Sequence, residues 1–159
     1  MIQISDSTRP KGQMVIKIYR DGTLLSSETV DNLIVNGGKA ALAHLLGNNG
    51  TGKHIATVGI GEGADPPAAE DTVLTESVTV SISETRIATG LEAEDGSLFD
   101  APNIVQFHFN FDKATGNGIA IREYGLFCAD GTLFSRIVRA AAFVKTDIDA
   151  IRGFWQIQF

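Results

Sequence analysis

The stretch from Ile119 to Arg139, IAIREYGLFCADGTLFSRIVR, constrains the fold more than any other part of this chain. Two apolar, β-rich runs flank Ala129-Asp130-Gly131. Asp-Gly between such runs is a strong hairpin signal, because Gly takes a positive φ at no steric cost and Asp tolerates it. Arg122, Arg136 and Arg139 are spaced along the flanks among Ile, Val, Phe and Tyr. The pattern predicts two tightly joined strands with at least one buried face. The rest of the chain must supply the layer against which they pack.

The rest does read as strands. Gln13 to Arg20 alternates, with Met14, Ile16 and Ile18 on one face. Asp21-Gly22 then makes a second D-G-T-L turn, leading into TLLSSETV. His54 to Ile60 is apolar and β-branched, and in Thr72 to Ala88 the residues Val78, Val80 and Ile82 share a face. Ile104 to Phe111 predicts Val105, Phe107, Phe109 and Phe111 inward, with Gln106, His108 and Asn110 outward. The final FWQIQF puts Trp155, Ile157 and Phe159 on one face. A last strand ending on Phe is expected to be paired and to tolerate a C-terminal extension poorly.

One short helix is expected near residues 38–46, in GGKAALAHLLG, with Ala41, Leu42, Leu45 and Leu46 as its buried stripe and Gly47 as its C-terminal cap. About eight strands at spacings of roughly 8–12 residues predict an all-β fold, an antiparallel, jelly-roll-like β-sandwich. Its single domain spans residues 13–159, after an N-terminal arm of residues 1–12.

Charge and cysteine usage narrow the function classes. The net charge of -6 argues against a broad cationic surface, so no nucleic-acid partner is expected. Cys128 is the one cysteine, which excludes an internal disulfide and suits a reducing compartment. The N-terminus has no apolar core of signal-peptide length, and no window approaches the ~20 apolar residues of a membrane span.

Candidate chemistry is sparse. Gly47 to Lys53 matches GxxxxGK, but His54 replaces the Ser or Thr that reaches magnesium, and the helix precedes the loop instead of following it. Gly59, Gly61 and Gly63 lack the βαβ context of a dinucleotide site. A metal site on His54 and His108 would need the fold to bring them together. Asp65, Glu70, Asp71, Glu92, Glu94, Asp95 and Asp100 read as solvated loop carboxylates, and Cys128 as a small core residue. No catalytic residue, cofactor or metal is predicted, and the chain is not read as an enzyme. Arg122 and Glu123 are neighbours on a strand, so they point apart and one of them faces inward or into an interface. With Arg136 they are the candidate subunit-interface residues.

Several segments, in order, carry a resemblance. They are Asn32 to Gly38 (NLIVNGG) with the helix after it, Val58 to Gly63 (VGIGEG), Asp71 to Leu74 (DTVL), the opening hairpin, and GFWQIQF at the end. Over most of residues 30–159 the order is similar to that in bacteriophage and prophage tail structural proteins of the baseplate or tail-fibre region. The resemblance implies a virion protein that works by protein–protein assembly, with self (a trimer foremost) and other tail proteins as partners. It implies synthesis in the host cytoplasm and transfers no catalytic residue. The other readings are a module that binds host-surface glycan and a capsid decoration protein.

Overall fold

The computed structural model describes residues 9–159, so the first eight residues of the expected arm lie outside it. In chain order the elements are β1 (Lys11–Arg20), β2 (Thr23–Ile34), α1 (Asn36–Leu46), β3 (Ile55–Gly61), β4 (Val78–Ser81), β5 (Glu84–Ile87), β6 (Leu91–Glu92), β7 (Leu98–Phe99), β8 (Ile104–Phe111), β9 (Ala120–Cys128), β10 (Leu133–Val144) and β11 (Asp149–Gln158). Lys11 and Gly12, assigned from the sequence to the arm, already belong to β1.

Nine strands form one antiparallel sheet in the order β4-β3-β9-β10-β2-β1-β11-β8-β5. The sheet curls into a sandwich. One layer holds β2, β1, β11, β8 and β5, and the other holds β4, β3, β9 and β10. Two corners join the layers. At the first, the last residues of β2 cross over, Leu33 pairing with Arg136 and Ile34 with Ser135 of β10. At the second, β4 runs into β5. The Ile82 N–H donates to Ala56 in one layer and the Ser83 N–H to His108 in the other. The core lies between the layers, where Met14, Ile16, Phe111 and Trp155 meet Val58, Ile60, Ile121, Tyr124, Leu126 and Ile137, each fully buried.

Both Asp-Gly sites turn the chain, by different geometries. Asp21 (φ 47°) and Gly22 (φ 81°) are both left-handed, as in the two-residue turns that match the twist of flanking strands. At the second site only Gly131 is left-handed (φ 86°). There the Gly131 N–H donates to Cys128 and the Cys128 N–H to Thr132, closing a three-residue loop. The same four letters take different turns although both are tied from outside; at the first, the Asp21 N–H donates to Ile148 and Lys113 pairs with Asp21 at 3.4 Å. At the second, Lys53 pairs with Asp130 at 2.7 Å, and the Asp130 N–H donates to Gly52.

Helix α1 forms where expected but packs differently. Its buried residues are Gly38 and Ala41, while Leu45 and Leu46 are exposed. The helix touches β10 through its first turns. A Cβ on Gly38 would overlap the Phe134 carbonyl, so the axis approaches the strand at that end and rises from it toward the other. Gly47 donates its N–H to Ala43, yet the left-handed residue that turns the chain is Asn48 (φ 55°). In β8, Gln106 is fully buried instead of outward. The acidic segment expected as a loop contains the β6–β7 hairpin, which covers it. Gln106 exchanges hydrogen bonds with the Glu92 backbone and donates to Gln156. Strand β11 is paired on both sides, with Trp155 and Ile157 buried and Phe159 half exposed.

Gly38→Ala should lower stability by about 1–3 kcal/mol, the usual cost of overpacking. Leu46→Ala at the exposed end should stay within about 0.5 kcal/mol. Denaturant midpoints of the two variants measure the difference.

Candidate functional site

Gly125 and Phe127 of β9, and Leu133 of β10, meet Leu74 from the connection between β3 and β4. That connection was expected as a polar, proline-bearing loop. It is a loop, and it lies over the β9–β10 layer, where Glu123 holds it. Glu123 is fully buried and Arg136 nearly so. Arg136 Nε donates to Glu123 Oε2 at 2.8 Å, and Arg136 Nη1 donates to Asp71 Oδ2 at 2.8 Å. The other Glu123 oxygen accepts the Gly63 N–H at 3.0 Å and the Thr75 N–H. Burial by itself would raise the Asp71 carboxyl, but the Ala68 N–H and the Arg136 guanidinium hold it below the usual carboxylate range.

This geometry explains the glycines of VGIGEG. A Cβ on Gly61 or on Gly63 would stand 2.6 Å from Glu123 Oε1, so both positions must be bare for the carboxylate to reach the loop. Helix α1 is tied into the same assembly. The Asn36 N–H donates to Ala69 and the Val35 N–H to Phe134. Both Glu123 oxygens are engaged, so the group is built to hold chain segments together.

Of the three interface candidates, the structure brings Glu123 and Arg136 together inside the chain. Arg122 is placed apart from them. Its guanidinium donates to the carbonyls of Ala140 (2.7 Å) and Arg139 (3.4 Å). Those carbonyls belong to a bulge in which Arg139 to Ala142 intervene between Val138, paired with Glu123, and Phe143, paired with Ile121. Beside it, Arg139 forms an ion pair with Glu28 of β2.

Sequence reasoning missed Asp71, which it grouped with the solvated loop carboxylates. The one available signal was the DTVL segment that follows the proline loop. It also missed a second buried group at the opposite end of the sandwich. Arg20 Nε pairs with Asp149 Oδ1 at 2.8 Å, and the Thr146 N–H and hydroxyl donate to Asp149 Oδ2 at 2.9 and 2.7 Å. The Arg20 guanidinium and these donors hold the Asp149 carboxyl far below the usual range. Next to it Lys145 is fully buried, donating to Asn117 Oδ1 at 2.8 Å, and burial lowers its pKa.

The other sequence candidates are separate. His54 is exposed, and His108 is half buried beside the Phe154 ring, its pKa lowered by burial. Cys128 is a buried core residue whose thiol is pushed up to about 11 by burial. Among the described residues, no cluster of His, Cys, Asp and Glu could hold a metal ion, and no helix is long and apolar enough to cross a membrane. An open groove of about 880 Å³ lies between the start of β1, β2 and α1, lined among others by Arg9, Lys11, Lys39, Asp31, Asn32 and Gln158. Set against family models, curated proteins and solved structures, the chain matches none of them.

Glu123→Gln removes one charge of a buried pair and should destabilise the chain by about 3–5 kcal/mol. Urea unfolding with tryptophan fluorescence from buried Trp155 reads this directly. Acid should act through Asp149 and Asp71. Both carboxyls are depressed in the folded state, so their stabilisation is complete above the unfolded pKa near ~4 and is lost as pH falls toward the folded values. Asp149→Asn should therefore flatten the decline of stability below about pH 4. Thermal midpoints measured across that range check the slope.

Proposed function

We propose that this chain is a structural protein of a phage virion, from the tail, baseplate or tail-fibre attachment region, and that it acts by protein–protein assembly. The observation that carries the reading is a convergence. The ordered segments that resemble tail proteins meet at one buried group. VGIGEG and DTVL are drawn to the IREYG and SRIV strands through Glu123, Arg136 and Asp71. NLIVNGG docks beside them through Val35 and Asn36. A set of motifs whose shared purpose is to hold one scaffold fits a protein that works as a building part.

The glycan-binding reading is weaker on the same page. Trp155 and Tyr124 are fully buried, so neither offers a ring face to a sugar. The exposed apolar side chains are aliphatic in the main, including Leu24, Leu25, Leu46, Val73 and Val144. Aliphatic exposure suits contact with another protein surface.

Two measurements test the proposal. Sedimentation equilibrium of the purified chain should give a closed homo-oligomer. Phage or prophage particles carrying the gene should retain the chain in tail-enriched fractions. A monomer that is absent from those fractions overturns the proposal.

A further inference from the structure

Nearly every cation of this chain is engaged. Seven Lys and Arg side chains form ion pairs with carboxylates. Arg122, Lys145 and Arg152 donate to carbonyl or side-chain amide oxygens. The remaining three, Arg9, Lys11 and Lys39, have no hydrogen-bond or ion-pair partner among the described residues, and all three line the open groove between the start of β1, β2 and α1. Asp31 is the one carboxylate in that lining, and it accepts from the Gln13 amide at 3.0 Å. A chain of net charge -6 therefore presents a recess with three uncommitted positive charges.

The uncommitted carboxylates gather elsewhere. Asp65, Glu70 and Glu76, all on the connection between β3 and β4, are exposed and have no partner among the described residues. The one other such carboxylate is Asp147. The connection is tied down along its length. Glu123 accepts the Gly63 and Thr75 N–H groups near its two ends, and Asp71 pairs with Arg136 between them. Pro66 and Pro67 stiffen the span from Asp65 to Glu70. A segment already ordered loses little conformational entropy when it docks. Val73, 72% exposed, adds an apolar side chain to the same connection, and Leu33 and Leu42 are half-buried in the wall of the groove.

We infer that the cationic groove of one copy receives the 65–70 segment of a second copy, with Arg9, Lys11 and Lys39 facing its carboxylates. The inference rests on the assembly reading and names the surfaces that join the copies. Within one chain no ion pair links the two among the described residues, so both remain available to a neighbour. The groove and the connection are different surfaces, so the contact repeats from copy to copy, and a closed ring fills every groove. A second copy is favoured as the occupant over a nucleic acid, because the chain itself carries the matching carboxylates and its net negative charge repels a polyanion. The buried Glu123–Arg136 pair gains a further role, since it presents the docking segment.

Sedimentation equilibrium of the full chain tests this by exchanging charges at exposed positions. Asp65→Lys with Glu70→Lys should weaken self-association at least about tenfold, and Lys11→Glu with Lys39→Glu should do the same. All four substitutions in one chain reverse both surfaces together and should restore the wild-type mass. Unfolding midpoints should stay near wild type throughout, since each of these side chains is exposed. Self-association that is unchanged in either double variant overturns the inference and leaves the assembly reading standing. A fourfold variant that stays monomeric does the same. A wild-type chain that sediments as a monomer overturns the inference as well, and the tail reading is then judged by the particle fractions alone.

Discussion

The fold depends on one costly interaction, the buried ion pair between Glu123 and Arg136. Removing a carboxylate and a guanidinium from water costs several kcal/mol each unless every polar atom finds a partner. Here the partners come from outside the hairpin. Gly63 and Thr75 reach Glu123, and Asp71 reaches Arg136. The pair is therefore satisfied only when the long connection after β3 is in place. That connection in turn carries Leu74 over Phe127 and Leu133, and gives the start of α1 a carbonyl from Ala69. A single charged pair converts a proline-bearing loop into a fixed outer layer.

The same economy of partners appears at the ends of the sandwich. Asp149 collects Arg20 and Thr146, joining the β1–β2 turn to the turn before β11. Gln106 binds the small β6–β7 hairpin over the outer face of β8. In each case a polar side chain in or beside a strand captures loop backbone, so the outer faces are covered without a third hydrophobic layer. The corner between β2 and β10 stands apart. There Arg139 Nη1 and the Tyr124 hydroxyl are buried without a hydrogen-bond partner, a bulge interrupts β10, and Leu24 and Leu25 are exposed.

The residues with the strongest electrostatic environment, Glu123, Arg136, Asp71 and Asp149, are internal ties that hold separate chain segments together.

Local chemistry carried much of this in the linear chain. Both Asp-Gly turns, the alternation of β1, β8 and β11, the helix after Asn36 and the sandwich class follow from period and turn residues, which depend only on neighbours along the chain. Arg122, Glu123 and Arg136 were legible as the polar residues out of place in apolar strands, and two of the three proved to be each other's partner. Only the tertiary structure decided which two. Glu123 and Arg136 are thirteen residues apart across a hairpin with a shifted register, and Asp71 is sixty-five residues from Arg136. No period along the chain encodes such distances. Nor does any period report that Gln106 is covered, that Gly38 sits against the Phe134 carbonyl or that Leu46 is left in water. Alternation says which residues share a face, but what lies on that face is set by segments arriving from elsewhere.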